Sequence, residues 1–332
     1  MGAVSTTARP PVLGFGVVLV AASLFGMLGI LTRFAYQAGM EPMSFVAWRA
    51  LIGFVAIAVF VGWRISRQAE HLVRPRDLDP RSRATLAIAA LVGFTLNLAM
   101  FLAFDRITIA LALLGFYTYP VMIALGNVAL GREALDRPRV VALGLAVAGM
   151  VAIVVSQLDP ATGITFDTVG FALAIGAALS QAVFVIISRS GYRAVPASQA
   201  MAVVLAVTVV CSSVLAITTG AIATLGFPAR DPSVVPLLLF TGLFAAAIPS
   251  ILFLTGIRLI GGTRTGILML FEPVVGVALA AWLLGEGLAP IQVAGGVAIL
   301  AAALILQRSA GPTEADEPER AIAAPALEGD PV

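Results

Sequence analysis

Ten apolar runs follow one another along the chain, each about as long as a helix that crosses a bilayer. Crossing about 30 Å of hydrocarbon takes roughly 20 apolar residues, because each residue advances a helix by about 1.5 Å. Charged residues or Gly and Pro breaks separate the runs. The pattern predicts an all-α membrane protein with about ten transmembrane helices, at residues 12–32, 43–63, 84–104, 107–128, 139–156, 169–188, 198–219, 234–256, 264–284 and 290–307.

The composition supports lipid as the solvent and excludes several kinds of enzyme. Hydrophobic residues make up 60% of the chain and charged residues 11%, against about 25% charged in soluble domains. All 20 basic residues are Arg, so a Walker phosphate loop and a Lys Schiff base are impossible. The single His71 and single Cys211 cannot supply a triad or a metal cluster. We therefore predict no catalytic residue, no metal and no cofactor.

The distribution of Arg orients the chain in the membrane. If the N-terminus is cytoplasmic and there are ten spans, 16 of the 20 Arg lie in cytoplasmic segments. This bias predicts cytoplasmic N- and C-termini in a bacterial-type plasma (inner) membrane. The Arg-rich segment 64–83 is interpreted as a topology signal that contacts lipid headgroups, and no nucleic-acid partner is expected. The predicted organisation is a cytoplasmic N-terminus (1–11), a first five-helix repeat (12–156), a linker (157–168), a second five-helix repeat (169–307) and a disordered cytoplasmic tail (308–332).

The two halves repeat a pattern of prolines and carboxylates. Pro120 is followed by Glu133 after 13 residues, and Pro273 is followed by Glu286 after 13 residues. Each Glu lies in a Gly-containing turn before the last apolar run of its half. Because each half has an odd number of spans, the second half enters the membrane in the opposite sense. Such inverted repeats are common in secondary transporters.

Three segments resemble the EamA family of the drug/metabolite transporter superfamily. The most recognisable is Phe-Glu-Pro-Val-Val-Gly-Val-Ala-Leu-Ala-Ala-Trp-Leu-Leu-Gly-Glu at 271–286, and its first-half counterpart lies at 119–133. The counterpart departs from the pattern because Arg132 stands between the Gly and the Glu. Ala-Trp-Arg-Ala at 47–50 is the third segment. The resemblance implies a transporter of two inverted five-helix repeats, in a family whose substrates include amino acids, other metabolites and xenobiotics.

Glu272 and Arg49 are charged residues inside apolar runs, where a charge is costly and invites a functional hypothesis. Glu272 could exchange a proton or bind a substrate amine, or it could lock helix packing beside the kink expected at Pro273. Arg49, about 10 Å inside the second run, could bind a substrate carboxylate or pair with Glu272. It could instead extend towards the outer interface.

Uncharged polar and aromatic residues complete the candidate site. Asn97 and Gln181 could line a polar cavity or join helices by hydrogen bonds. Tyr117 and Tyr119 could form an aromatic wall for a flat solute or simply pack. Helix kinks are predicted at Pro120, Pro273 and Pro249, and by the repeat offset Pro249 corresponds roughly to Asn97.

The function that these features favour is secondary transport of a small metabolite, amino acid or drug-like solute across the plasma membrane. The expected mechanism is alternating access, coupled to protons or to exchange, with efflux favoured. A non-transporting scaffold or sensor is the alternative, and a polar cavity on the pseudo-symmetry axis would favour transport over it. The expected partners are membrane lipids, a small-molecule solute and protons, and the protein is a monomer or homodimer.

Overall fold

A computed structural model describes residues 11–309 except 134, 157–166 and 285–288. The described residues form helices and turns without a strand. Ten of the helices are long and apolar enough to cross a membrane, and they are numbered here as spans 1 to 10. They are Val12–Gln37, Pro42–Ser66, Pro80–Arg106, Ile109–Ala129, Arg137–Val155, Thr168–Ser188, Ala197–Thr218, Pro232–Ile260, Gly262–Leu283 and Pro290–Arg308.

The surface of the bundle is apolar, as a lipid solvent requires. Trp282 is 78% exposed and Val59 is 68% exposed, and large aliphatic side chains are exposed on most spans. In water such a surface would drive aggregation. The chain is therefore a multi-pass membrane protein, and the prediction of an all-α fold with about ten transmembrane helices is confirmed.

Helix starts follow local rules of the sequence. Spans 2, 3 and 10 begin at Pro42, Pro80 and Pro290, where the missing proline N–H would have had no intrahelical acceptor. Span 4 begins after Thr108, whose Oγ1 accepts a hydrogen bond from the Leu111 N–H at 3.3 Å. Two short helices, Ile222–Leu225 and Phe227–Arg230, and a 3₁₀ turn at Pro75–Asp77 lie between spans.

The two five-span halves pack against each other in a two-fold pattern. Span 1 packs on span 8, and the equivalent contact joins span 6 to span 3. Spans 2 and 7 pack together, as do spans 5 and 10, and each of these pairs consists of two equivalent helices. In the last pair the backbones touch, because a Cβ on Gly149 would lie 2.5 Å from the Gly295 carbonyl oxygen. Two inverted repeats with five spans each produce this arrangement.

Spans 4 and 9 are interrupted at corresponding positions. Span 4 consists of helices Ile109–Phe116 and Tyr119–Ala129, and span 9 consists of Gly262–Met269 and Glu272–Leu284. Pro120 and Pro273 are each the second residue of the later helix. A proline there cannot donate to the preceding turn, so the helix restarts and carbonyl groups before it lose their partner.

Spans 1 and 8 are also irregular, whereas the equivalent spans of the other half, spans 6 and 3, are single continuous helices. Span 1 breaks at Met27 between Pro11–Gly26 and Leu28–Gln37. Span 8 contains a π-helical segment at Leu243–Ala247, and Pro249 follows directly in Ile248–Ile260. The helix of span 3 runs without interruption through Asn97, so the position matching Pro249 is regular.

Three parts of the predicted domain organisation lie wholly or partly outside the residues that the structure describes. These are residues 1–10 of the N-terminus, residues 157–166 of the linker and the tail from residue 310. The cytoplasmic placement of the two termini stays a prediction.

Candidate functional site

A cavity of about 730 Å³ lies between the two halves, and both halves contribute to its lining. It reaches from the centre of the bundle to the end at which span 3 turns into span 4, here called the Thr108 end. Arg33 and Thr108 line the cavity and are exposed, so the cavity opens there. The opposite end, where span 4 turns into span 5, is called the Glu133 end.

Arg49 lies on the cavity lining and is held by groups from two other spans. Its Nη1 donates to the carbonyl oxygen of Ala245 at 2.8 Å, and its Nη2 donates to Oδ1 of Asn97. The Ala245 carbonyl belongs to the π-helical segment, in which the usual helical bonding is disturbed. The guanidinium also lies 5.8 Å from the ring centre of Phe101. Arg49 is 5% exposed, so its side chain is directed into the bundle.

One nitrogen of Arg49 is left without a partner by the protein. Its Nε is buried and has no hydrogen-bond partner within the part of the chain that the structure describes. A buried N–H without a partner costs free energy. Asn97 fixes the guanidinium and is itself oriented by a bond from its Nδ2 to the carbonyl oxygen of Gly93 at 2.8 Å.

Glu272 lies on the cavity lining at the break in span 9. The Tyr117 hydroxyl donates to its Oε2 at 3.3 Å, so the two interrupted spans meet through their functional groups. Glu272 is the first residue of its helix, where the helix dipole favours a carboxylate. Arg49 and Glu272 both face the cavity, but each is bonded to other groups. The Arg49–Glu272 ion pair considered from the sequence is absent among the described contacts.

The remaining lining is mostly aromatic and aliphatic, with few polar groups. Gln181 lies on span 6, is 8% exposed, and its amide has no hydrogen-bond partner among the described residues. Ser250 on span 8 also lines the cavity. An apolar cavity with a few convergent polar groups is typical of a small-molecule site. The largest apolar lining residues are Phe25, Phe101, Phe104, Phe116, Phe184 and Phe253.

Tyr119 and two of the three kink prolines do not line the cavity. Tyr119 is 1% exposed and packs with its ring centre 5.1 Å from that of Phe116. Its hydroxyl is buried without a partner in the described residues. Pro120 and Pro249 are buried, and only Pro273 of the three reaches the cavity. The structure thus brings five of the predicted residues together on the cavity lining: Glu272, Arg49, Tyr117, Asn97 and Gln181. Tyr119 is buried away from the cavity lining.

The Glu133 end is closed by polar contacts between the two halves. Arg189 at the end of span 6 donates to Oε1 of Glu133 at 2.5 Å, and the Glu133 side chain is 5% exposed. Beside this pair, Gly261 adopts a φ of +85°, and a Cβ there would lie 3.2 Å from the Glu133 Oε1. Deeper in the bundle, Nδ2 of Asn127 donates to Oγ1 of Thr263 at 3.2 Å.

This closure was not predicted from the sequence, which placed Glu133 in a Gly-containing turn and gave it no partner. The signal was present: Arg189 corresponds to Arg33, and Glu133 to Glu286, in the repeat. Nothing in the spacing showed that partners 56 residues apart would meet. The free carbonyl of Ala245 also had a signal in the sequence, because it lies four residues before Pro249, which has no N–H to donate to it.

Comparisons with known proteins agree with this architecture. The family model of the EamA-like transporter family matches residues 12–155 and 168–308. No curated protein matches the chain. One solved crystal structure of a protein matches 89% of this chain and 97% of its own, with 20% identity and a TM-score of 0.69. At this identity the likeness shows the fold alone.

Proposed function

Because the chain belongs to the EamA-like transporter family, we propose that it is a secondary transporter that moves a small solute by alternating access. The observation that carries the proposal is the cavity between the halves, open at the Thr108 end and closed at the Glu133 end. Interrupted spans 4 and 9 border it at equivalent positions, as in transporters with discontinuous helices at the solute site. Rocking of the halves would close one end and open the other.

The proposed solute is a metabolite, an amino acid or a drug-like compound with an apolar body and at least one polar group. The aromatic lining suits the apolar body, and the positive charge of Arg49 on the lining suits an acidic or carbonyl group. Glu272 offers an acceptor for an amine. The volume of about 730 Å³ lies within the usual range for small-molecule sites, roughly 300–1,000 Å³.

Glu272 is the proposed coupling group, and the coupled ion is the proton. Its carboxyl group faces the open cavity and is reached by protons from that side. Protonation would neutralise the only carboxyl group among the described lining residues, which lowers the cost of carrying it through an apolar barrier. Release of the proton on the other side would restore the charge. Exchange of a second solute is the alternative form of coupling.

The proposed location is a bacterial-type plasma membrane with both termini in the cytoplasm. This follows from the Arg distribution. The Thr108 end then faces outwards and the Glu133 end faces the cytoplasm. Efflux is the proposed direction, and it rests on the family resemblance.

The first experiment identifies a ligand, and the second tests coupling. Thermal stabilisation of the purified protein against amino acids, other metabolites and cationic drugs identifies compounds that bind the folded state. A compound that stabilises the protein is then followed in proteoliposomes with an imposed pH gradient. Glu272→Gln removes the titratable group at nearly constant shape, so gradient-driven flux should fall to the level of empty liposomes while the protein stays folded.

Two controls separate coupling from packing. Glu41→Gln makes the same chemical change at an exposed position outside the cavity lining and should leave flux unchanged. Tyr117→Phe removes the hydroxyl that donates to Glu272 but keeps the carboxyl group, so gradient-driven flux should persist. Normal gradient-driven flux in Glu272→Gln would refute the coupling role. Loss of folded protein in that variant would instead assign Glu272 to packing.

A non-transporting scaffold or sensor is the competing function. The polar groups on the lining of an open cavity favour transport, because a scaffold gains nothing from charged side chains around such a cavity. Stabilisation by a ligand without any flux in liposomes would favour the sensor.

A further inference from the structure

A second, smaller crevice of about 420 Å³ lies at the Glu133 end between spans 2, 3 and 7. Its walls are aliphatic, and the loop between spans 2 and 3 forms one side through Leu72, Val73 and Leu78. Gly62 on span 2 also lines it, and a Cβ there would meet open space. The crevice is separate from the central cavity, with which it shares no lining residue.

The one polar side chain on the crevice wall is already satisfied. The Gln199 amide donates to Oε1 of Glu70 and to the carbonyl oxygen of His71, both at 2.7 Å. Its Oε1 accepts the Val73 N–H at 3.0 Å. An occupant therefore finds only apolar surface within the crevice, and the part that enters it must be apolar as well.

The rim of the crevice is basic. Five exposed arginines lie within three positions along the chain of a residue that lines the crevice. Their side chains have no partner in the described residues. The acidic groups nearby each accept a hydrogen bond: Glu70 pairs with Arg64 at 2.8 Å, Asp77 accepts the Arg74 N–H at 3.2 Å, and Asp79 caps span 3 by accepting the Ser82 N–H. The five exposed arginines of the rim outnumber these three carboxylates. The unpaired rim arginines are Arg67, Arg74, Arg76, Arg81 and Arg83.

The rim is held in place by contacts to span 7. Glu70 accepts a hydrogen bond from the Ser198 hydroxyl at 2.9 Å in addition to its bonds from Arg64 and Gln199. The loop therefore has a fixed position over the crevice. An ordered basic rim above an apolar opening between helices is complementary to a molecule with an anionic head and an apolar tail.

We propose that this crevice is a binding site for an anionic phospholipid, with an acyl chain between spans 2, 3 and 7 and the phosphate against Arg74 and Arg76. A zwitterionic lipid would fill the crevice but would compensate the rim charge less. A free phosphate would compensate the charge but leave the apolar walls unfilled. Each Arg near an anionic lipid surface contributes about fivefold in affinity, so two should contribute roughly 30-fold.

The experiment measures lipid-dependent thermal stability of the full-length protein in detergent. Phosphatidylglycerol is compared with phosphatidylcholine of the same acyl chains. It is also compared with glycerol 3-phosphate, which carries a phosphate group but no acyl chain. Native mass spectrometry counts bound lipid as a second readout that does not depend on the unfolding transition. Phosphatidylglycerol should stabilise the protein at lower concentration than phosphatidylcholine, and glycerol 3-phosphate should have little effect.

Two variants with matched controls test the two parts of the site. Arg74→Gln with Arg76→Gln should lower the affinity for phosphatidylglycerol by roughly 30-fold. The control, Arg137→Gln with Arg308→Gln, removes two exposed arginines at the same end and should not do so. Gly62→Phe should fill the crevice and reduce binding of both lipids. Gly176→Phe, at another exposed glycine with open space around it, should leave binding intact.

Several results would overturn the proposal. Equal stabilisation by the two lipids, or equal loss in the two arginine pairs, would show that a general charge effect operates. Full retention of binding in Gly62→Phe would remove the crevice from the site. A shift produced by glycerol 3-phosphate alone would reduce it to an anion site without a lipid chain.

Discussion

The Thr108 end and the Glu133 end differ in the burial of the charges that join the two halves. At the Glu133 end, the Glu133–Arg189 pair is largely buried, with side chains 5% and 27% exposed. At the Thr108 end, Arg106 of the first half pairs with Asp167 before span 6 at 3.3 Å, with side chains 50% and 36% exposed. A charge pair is strong when it is desolvated and weak when water screens it.

The two pairs are not equivalents in the repeat, since Arg189 corresponds to Arg33 and Glu133 to Glu286. Inversion of the second repeat places the last residues of span 9 at the end of the bundle opposite to the last residues of span 4. The same kinds of residue therefore occur at both ends, but one end is packed and the other opens into the cavity. This asymmetry is the one that the proposed function requires of a single state in an alternating-access cycle.

The largest effect is expected from leaving Glu133 buried without its partner. Arg189→Gln should destabilise the closed Glu133 end by about 3–5 kcal/mol, the usual cost of a buried charge that loses its partner. Ile123→Cys in a Cys211→Ala background provides the readout, since Ile123 is fully buried beside Gly262 and Gly266. A membrane-impermeant thiol reagent should label this position much faster in the Arg189→Gln variant.

The double variant Glu133→Gln with Arg189→Gln is the control for this prediction. It removes both charges, so no unpaired charge remains, and labelling should return towards the rate of the parent. Equal labelling in the parent and in Arg189→Gln would show that the ion pair does not hold this end closed.

A smaller effect is expected from the glycine beside the ion pair. Gly261→Ala forces an L-residue into a conformation (φ 85°, ψ 166°) that is almost confined to glycine, at a cost of about 1–3 kcal/mol, and its Cβ would approach the Glu133 Oε1 at 3.2 Å. Gly131→Ala is the matched control, because Gly131 has a φ of +64° with open space around its Cβ position. The thermal midpoint should fall in both variants, and thiol labelling of Ile123→Cys should rise only in Gly261→Ala. The same labelling rate in both would exclude a steric role for Gly261.

The spans were predictable from the sequence because bilayer thickness imposes them. A run of about 20 apolar residues has no other stable state in lipid, and each of the ten predicted runs overlaps one of the observed spans. The break in span 4 is placed by Tyr119-Pro120 and the break in span 9 by Glu272-Pro273, since proline is a local signal. The π-helical segment at Leu243–Ala247 is marked in the same way by Pro249, whereas the break at Met27 has no such marker and depends on packing between spans.

The candidate site was predictable as a set of residues but not as a set of contacts. Charges and amides stand out in apolar runs, so Glu272, Arg49, Asn97 and Gln181 were found by residue type. Tyr119 and Glu272 each stand directly before the kink proline of their half, yet Tyr117 is the residue that donates to Glu272. A helix turns by about 100° per residue, so a shift of two residues decides which side chain faces the cavity.

The smallest effect is expected at the Thr108 end. The Val169 N–H and Arg106 bind the Asp167 carboxylate and lower its pKa, with the backbone N–H as the larger cause. A lowered pKa in the folded state means that the stabilisation is present above the unfolded pKa of about 3.9 and is lost as the pH falls through the folded value. Arg106→Gln should therefore shift the thermal midpoint only slightly at pH 7, and less still in high salt, since both side chains are exposed to screening.

Asp167→Ala should lower the midpoint more than Arg106→Gln, because it also removes the cap on span 6, where Oδ1 of Asp167 accepts the Val169 N–H at 3.0 Å. Neither change should speed the labelling of Ile123→Cys, because residue 123 lies near the Glu133 end. A rise in labelling with either variant would mean that the exposed pair helps to set the conformation. The contrast between the two ends would then reflect coupling across the bundle rather than the local burial of charge.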